Sequence, residues 1–365
     1  MDGKRRVGVG IIGCGNISSQ YLKAMRDFPV LEVIAIADMK TEVAERKAAE
    51  FGLTAVSVDA LLADPRVEII VNLTIPRAHV EVGLRAIAAG KHVYSEKPLG
   101  ISYAEGKSLA AAAAKAGLRV GSAPDTFLGG AHQAARALLD SGAAGDIVGG
   151  TAFFACPGHE RWHPDPAFYY DVGGGPVLDM GPYYITDLVN LLGPVKSVQA
   201  MSATPHQERP ILSEPKKGQL MPVKVSTHVA GLLQFHSGAI IQVTLSFDVP
   251  GHAHLPFELY GTRQSVLVPD PNMFGGEVKT RAAGDKEWSV SPYTLPYADA
   301  NYRSLGVADM AHAILEGRPH RASGELALHV LEVMEAFETA SRERRAVEIT
   351  TPVERPAPLQ ESVIG

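Results

Sequence analysis

The stretch Val7-Gly8-Val9-Gly10-Ile11-Ile12-Gly13-Cys14-Gly15-Asn16-Ile17-Ser18 decides the fold of this 365-residue chain. A short β-branched run flows straight into glycines, which predicts a buried strand ending in a phosphate loop, with a helix from Ile17 to Asp27 behind it. The hexapeptide Gly13 to Ser18 fits G-x-G-x-x-G/A except that serine takes the last place. On this reading Gly13 makes the tight turn and Gly15 lets the backbone approach a pyrophosphate. Asn16 and Ile17 then open a helix whose N-terminus meets the negative charge. Asp38 stands at the end of the next strand-like run, Leu31 to Ala37, where a carboxylate accepts hydrogen bonds from an adenosine ribose diol. The alternative is a glycine-rich turn with a helix-capping aspartate. Because Asp38 repels a 2′-phosphate, NAD is preferred over NADP, with Lys40 partly offsetting that repulsion.

Working outward, the same alternation continues. Thr41 to Phe51 reads as a helix with Thr41 as N-cap and Gly52 as its stop. Glu68 to Leu73 reads as a buried strand, Pro76 to Ala89 as a helix opened by proline, and His92 to Ser95 as a further strand. Ser102-Tyr103-Ala104-Glu105 has capping-box spacing ahead of an alanine-rich helix that stops at Gly117. Strand and helix alternating with short connections predict a parallel sheet covered on both faces, with a first domain over residues 1–125. After a helix from Ala131 to Asp140 the texture changes. Val223 to His236 and Ala239 to Asp248 alternate as strands of a mainly antiparallel sheet, in a second domain over 126–365. Thr204 to Pro222 reads as an exposed excursion. Helices return at Val307 to Glu316 and Gly324 to Arg342, before a tail with Pro352, Pro356 and Pro358 that need not be ordered.

Composition narrows the function. With 46% hydrophobic and 20% charged residues the chain buries two cores. A net charge of -6, with Lys and Arg scattered, offers no field for nucleic acid. Cys14 and Cys156 are the only cysteines, too few for a disulfide framework, which favours a reducing cytoplasmic setting. The apolar run after Met1-Asp2-Gly3-Lys4-Arg5-Arg6 is short and glycine-broken, so neither a signal peptide nor a membrane span is expected. A metal site is disfavoured, since His252 and His254 lie in a loop without a matching carboxylate or cysteine cluster.

The residues that carry chemistry lie beyond the glycine loop. Thr74 and His79 fall at a strand-to-helix junction on the carboxyl edge of the first sheet, where ligands collect; helix initiation is the plainer reading. Glu96-Lys97-Pro98 follows the strand ending at Ser95, so Lys97 projects over that edge beside Glu96. Farther on, Gly173-Gly174-Gly175-Pro176-Val177-Leu178-Asp179-Met180-Gly181-Pro182-Tyr183 leads into a helix read from Met180 to Leu192. Asp179 and Tyr183, four apart, share one face. A carboxylate and a phenol side by side grip adjacent hydroxyls, and a phenol acting as a base near neutral pH needs a cation such as Lys97. Otherwise Asp179 is an N-cap and Tyr183 a packing residue. In Gly158-His159-Glu160-Arg161-Trp162-His163-Pro164, Trp162 offers a flat apolar wall for a substrate and His163 a hydrogen bond or an alternative base. Asp125, after the last strand of the first domain, faces nicotinamide or substrate, or else is a turn aspartate.

The order of glycine loop, T-x-P-x-x-H, E-K-P and G-G-G-x-x-x-D-x-G-x-[HY] resembles the Gfo/Idh/MocA oxidoreductase family along nearly the whole chain. The resemblance implies an α/β protein. It consists of an N-terminal Rossmann domain, a doubly wound parallel sheet, followed by a C-terminal α+β domain whose large, mainly antiparallel open sheet forms the interface of a homodimer or homotetramer. It implies NAD or NADP as cofactor and redox chemistry on a sugar, polyol or related cyclic hydroxyl compound. By the same resemblance Lys97 matches the catalytic lysine, Asp179 the active-site aspartate and Tyr183 the acid/base, a position that holds histidine in many members and tyrosine in others. Ile75 stands where proline is usual. The acid of that helix one turn farther on is not carried over, because Thr186 and Asp187 stand there. Two other readings stay open: a sugar oxidoreductase or glycoside-processing enzyme that recycles tightly bound NAD(P), and a nucleotide-sensing regulator without catalysis.

Overall fold

Continuous burial of Val7–Ile12 makes β1 an interior strand of the N-terminal sheet, as expected for a parallel strand covered on both faces. The computed structural model describes residues 5–359, so the first four residues of the charged N-terminus lie outside it. From β1 the chain runs through α1 (Asn16–Met25), β2 (Leu31–Ala37), α2 (Thr41–Phe51), α3 (Val58–Ala63), β3 (Ile69–Asn72), α4 (His79–Ala88), β4 (His92–Ser95), α5 (Tyr103–Ala116) and β5 (Val120–Ser122). The sheet order is β2-β1-β3-β4-β5, and every pairing is parallel. The order reverses beside β1, so the crevice at its carboxyl end is the switch point where ligands of such sheets bind. Two local expectations shift by a residue or a turn. Lys40, not Thr41, caps α2. Pro76–Ala78 forms a 3₁₀ turn ahead of α4 rather than its first turn.

The second layer is built from α6 (Gly130–Asp140), β6 (Ile147–Ala155), α7 (Gly175–Leu192), β7 (Val195–Ala203), the ribbon β8 (Glu208–Pro210) and β9 (Leu220–Pro222), β10 (His228–Phe235), β11 (Ile240–Ser246), β12 (Phe257–Gly261), β13 (Gln264–Val268), β14 (Val278–Ala282) and β15 (Ser289–Ser291). The chain closes with α8 (Leu305–Glu316), α9 (Gly324–Glu343) and β16 (Val347–Glu348). The large sheet runs β15-β14-β13-β12-β6-β11-β10-β7-β16 and is antiparallel apart from β6 against β11. Helices α6, α7 and α9 cover one face. The other face exposes Met201, Leu232, Ile240 and Tyr260.

The C-terminal helices return to the first layer. Helix α8 packs on α1 and β5, and α9 on α5 and β5. Ser323 extends the edge of β5 by an antiparallel bridge to Gly121. Two expectations about irregular chain are overturned here. The 204–222 excursion carries the β8-β9 ribbon, and its Arg209 is buried. The proline-rich tail is fixed as far as Leu359, whose N–H donates to Gln133 Oε1 at 2.7 Å, while Arg136 and Arg321 hold the carbonyls of Pro356 and Pro358. Arginine side chains supply the donors that a proline-rich strand cannot find in a sheet.

Candidate active site

The nucleotide end of the cleft is shaped by two glycines with different duties. Gly13 has φ +101, and a Cβ there would stand 2.6 Å from the carbonyl of Leu73, so the turn accepts no side chain. Gly15 is extended, and a Cβ on it would meet nothing within 4 Å, so its freedom concerns what lies outside the protein. Gly15 caps α1 with no side chain of its own, and no acidic residue stands in the first turn. The positive end of α1, with Asn16 and Ile17, therefore opens uncompensated into the crevice. Asp38 is oriented by backbone donors, Cys14 N–H to Oδ2 and Lys40 N–H to Oδ1, both at 2.9 Å, which leaves its outer lone pairs for a diol. Burial, reinforced by Asp38, pushes the Cys14 thiol up to about 11, so it is inert. These features fit an adenine dinucleotide: an open approach over Gly15, an uncompensated helix end for the pyrophosphate and a presented carboxylate for the ribose.

A cavity of about 500 Å³ continues from Gly15 to the second layer between Thr74, Lys97, Trp162, Asp179, Tyr183 and Asn272. Thr74 borders it, with its hydroxyl donating to Asn72 Oδ1 at 2.6 Å. Glu96 borders it too, but its carboxylate is occupied by the Tyr21 hydroxyl at 2.8 Å and by Lys97 N–H at 2.9 Å, so it orders the strand end. Lys97 reaches from the first layer to the second and donates to Asp179 Oδ1 at 2.7 Å and Asp179 O at 2.6 Å. Its ammonium lies 5.1 Å from the centre of the Tyr183 ring. Burial works against the Lys97 charge, but Asp179, Tyr183 and Glu96 outweigh it and hold the ammonium well above the ordinary lysine value. Burial likewise opposes the Asp179 charge, yet Lys97 and His159 hold the carboxyl far below the usual range. Near neutrality the two stay ionised and paired.

Asp179 and Tyr183 share one face as the spacing implied, but not at a helix start. Helix α7 begins at Gly175 with Pro176 in its first turn, so Asp179 is interior and caps nothing.

His159 is a site residue that sequence reasoning missed. Its Nε2 lies 3.1 Å from Asp179 Oδ2, and its Nδ1 lies 3.2 Å from the indole nitrogen of Trp162. An indole N–H only donates, so Nδ1 accepts and Nε2–H donates to Asp179. His163 borders the cavity, where its Nδ1 accepts from Asp165 N–H at 3.0 Å. The proton then sits on Nε2, so His163 offers a donor rather than a base. Trp162, Phe168 and Tyr169 form the aromatic wall opposite Lys97. That wall rests on a buried ionic knot: Arg209 donates to Glu160 Oε1 at 2.7 Å and contacts Asp248, while the Tyr170 hydroxyl contacts Glu160.

Two expected site residues do not face the cavity. His79 is fully buried, with Nδ1 2.7 Å from Pro98 O and Nε2 3.0 Å from Thr74 O. The 3₁₀ turn at Pro76 rotates it inward, where it ties the Thr74 loop to the Lys97 loop. Asp125 is also fully buried, and its Oδ2 accepts from Ser304 N–H at 3.0 Å and Gly306 N–H at 2.9 Å at the start of α8. A carboxylate under a helix N-terminus is held by the helix, not by a ligand. Asp187 pairs with His132 at 2.7 Å in the core, away from the cavity. Arg303, beside α8, donates from Nη2 to Asn272 Oδ1 at 2.6 Å on the cavity wall. No local pattern in the sequence marks it.

Comparison with known proteins agrees with this architecture. Residues 7–123 match the model described as an oxidoreductase family with an NAD-binding Rossmann fold, and residues 132–267 match the GFO/IDH/MocA C-terminal domain. A dTDP-3,4-didehydro-2,6-dideoxy-alpha-D-glucose 3-reductase of Saccharopolyspora spinosa is 30% identical over 73% of this chain and 75% of its own. A 1,5-anhydro-D-fructose reductase of Ensifer adhaerens is 28% identical over 94% of this chain and 98% of its own. Among solved structures, levoglucosan dehydrogenase in complex with NADH superposes with a TM-score of 0.82 over 95% of this chain and 100% of its own at 22% identity, a likeness of fold. With both layers matched in order, the chain belongs to the Gfo/Idh/MocA family of NAD-binding oxidoreductases.

Proposed function

We propose that this chain interconverts a secondary hydroxyl and a ketone on a sugar or related cyclic polyol, with NAD as the redox partner and Tyr183 as the proton-holding group. The observation that carries the reading is the Lys97–Asp179 ion pair at 2.7 Å beside Tyr183, in the same cavity as Gly15. Bound NAD supplies the hydride acceptor or donor. The chain supplies position and proton. Lys97 and Asp179 lock each other in charged form, so neither exchanges a proton readily near neutrality. His163 presents an N–H. Tyr183 is then the group suited to take the hydroxyl proton, with the Lys97 ammonium stabilising charge that develops on oxygen. Asp179 keeps a lone pair for the neighbouring hydroxyl, and the Trp162 face carries the ring. Outside the pocket, Met39 lies beside Asp38 with 91% of its surface exposed, an apolar cover for adenine. Asp38 in this place favours NAD over NADP.

The names of the curated relatives, reductases of a nucleotide-linked deoxysugar and of an anhydrosugar, support a sugar. A second reading, cofactor retained between turnovers, draws on a clasp across the cleft mouth: Arg77 pairs with Asp171 at 2.9 Å and donates to Val172 O at 3.0 Å. The bare outer face of the large sheet, with Met201, Leu232, Ile240 and Tyr260, suits a second copy of the chain, as a homodimer or homotetramer. Two unpaired cysteines fit a cytoplasmic setting. The test is NADH formation over a panel of sugars and polyols. Tyr183→Phe should lower kcat by about 10²–10⁴-fold while leaving NADH binding in place. A variant that turns over like wild type removes Tyr183 from the reaction.

A further inference from the structure

We infer that His159 is a positioning residue for the reaction: its Nε2–H and the Lys97 ammonium each hold one oxygen of Asp179, and the Trp162 indole fixes the imidazole tautomer that this requires. The wall that carries the ring and the carboxylate that takes its hydroxyl are thereby one hydrogen-bonded unit. The inference rests on the reading of Asp179 as acceptor for the hydroxyl next to the reacting carbon and extends it to the residue that aims that acceptor.

Three observations carry it. The first is the path of the protons. Trp162 Nε1 lies 3.2 Å from His159 Nδ1, His159 Nε2 lies 3.1 Å from Asp179 Oδ2, and Lys97 Nζ lies 2.7 Å from Asp179 Oδ1. An indole nitrogen only donates and an ionised carboxylate only accepts, so the imidazole between them carries its proton on Nε2. With both nitrogens engaged, His159 cannot trade a proton with a ligand unless the bond to Trp162 breaks. The second is the carboxylate. Each Asp179 oxygen gives one lone pair to an N–H and keeps another, and Asp179, His159 and Trp162 all border the cavity. Without the imidazole, Oδ2 has no donor among the described residues and the group is held at Oδ1 alone.

The third observation is the support built around the imidazole. His159–Arg161 forms a 3₁₀ turn, in which side chains three apart eclipse, so residues 159 and 162 rise together. The turn starts from Gly158 at φ +106, where a Cβ would run into Glu160 and Arg209. The His159 backbone N–H donates to the Tyr170 hydroxyl at 3.1 Å, which ties the turn to the ionic knot beneath it. Around the imidazole stand the rings of Tyr169, Phe247 and Trp162, with centres 4.2, 4.5 and 5.5 Å away. A histidine that only fills space needs neither of the two ring hydrogen bonds; here both are made, and the surrounding rings bar rotation. His159 takes no part in the proton transfer assigned to Tyr183 and keeps its own proton throughout.

Two measurements test it, and the first needs no substrate. Long-range proton–nitrogen spectra of the full chain labelled in histidine, with His159 assigned by its absence from His159→Gln, should show a proton on Nε2 alone near neutral pH. A proton on Nδ1 overturns the inference. The second compares the best substrate of the sugar and polyol panel with its analogue deoxygenated at the carbon next to the reacting one. Leucine at 159 fills space and offers neither bond, whereas a glutamine amide accepts from the indole and donates to Asp179. On the substrate, His159→Leu should lose about 10–100-fold in kcat/KM, the worth of a hydrogen bond to a charged group, and His159→Gln should recover most of that loss. On the deoxy analogue, wild type and His159→Leu should agree within about threefold, because the hydroxyl that Asp179 holds is gone. A merely structural role predicts an equal loss on both compounds and no rescue by glutamine, and that result overturns the inference. His159→Phe, a ring with neither bond, stands in if His159→Leu does not fold. Tyr183→Phe separates the two claims. If it stays active the proposed function fails, whereas if it is dead and His159→Leu pays the same deoxy penalty as wild type, only His159 leaves the mechanism.

Discussion

Gly15→Ala should abolish tight nucleotide binding without harming the fold. Gly15 sits at φ -70 and ψ -168, which any residue adopts, and an added Cβ meets no protein atom within 4 Å. Alanine there should leave stability unchanged or raise it by about 0.4–1 kcal/mol through the unfolded chain. The same methyl group projects into the space over the N-terminus of α1, where the pyrophosphate must approach the backbone. Pushing it back breaks two charge-assisted N–H contacts of about 1.5–3 kcal/mol each, about 3–6 kcal/mol together. That is about 10²–10⁴-fold in Kd. The assay is an NADH fluorescence titration paired with thermal melts with and without NADH. Wild type should melt higher with NADH, and Gly15→Ala should melt as wild type does without it and ignore the ligand. Gly13→Ala is the contrast: φ +101 and a contact of 2.6 Å to Leu73 predict a lower melting temperature before any ligand is added. A Gly15→Ala protein that binds NADH like wild type would show that the pyrophosphate does not lie over this helix.

Other consequences follow from buried charge. Asp38→Asn keeps acceptor capacity for one backbone N–H but loses the anion, so NADH affinity should drop about 10–100-fold and the gap to NADPH should narrow, as parallel titrations would show. His132 is buried against Asp187; burial opposes its charge, but Asp187 and the Met273 carbonyl outweigh it and raise its pKa. Its stabilising contribution is present in full below about pH 6.5 and lost as pH rises through the raised folded value, so the melting-temperature deficit of His132→Gln should be largest at about pH 6 and shrink toward alkaline pH. A deficit that grows with pH would contradict a charged His132. Arg209→Met leaves Glu160 and Asp248 buried without their cation, at a cost of about 3–5 kcal/mol. Because the knot supports the 159–170 segment, the variant should also raise KM for sugar more than Kd for NADH.

What was legible in the sequence shares a physical cause: the information is local. The strand at Val7–Ile12, the loop at Gly13, the carboxylate at Asp38 and the lysine at the end of β4 each carry a signature in the few residues around them, and each stands at the strand end where that signature put it. The pairing of Asp179 with Tyr183 is a helix period and survives even though α7 starts five residues earlier than its reading from Met180. What escaped depends on contacts far along the chain. Arg209 is one cation in a proline-rich segment until Glu160 and Asp248 close on it. His79 and Asp125 have the right chemistry on the right edge, yet each is turned inward by an adjacent element, a 3₁₀ turn in one case and the N-terminus of α8 in the other. Arg303 reaches the cavity wall only through Asn272, 31 positions away.

The arrangement also explains why the two layers are tied so firmly around an open cavity. Lys97 belongs to the first layer and Asp179 to the second, so a small rotation between layers would break a pair of 2.7 Å and leave two buried ions. The chain guards against that by sending α8 and α9 back onto the first sheet and by bridging Gly121 to Ser323. Each segment around the cavity has its own buried fastening as well: Glu96 on Tyr21 for the lysine loop, His159 on Asp179 for the aromatic wall, and Asp125 on the turn that opens α8. Each fastening is a contact between protein groups, so the reacting side chains are positioned by the chain's own packing. Selectivity among sugars is then expected to reside in the less constrained part of the cavity, the exposed ring of Phe168, where a change of side chain alters the wall without disturbing the charges beneath it.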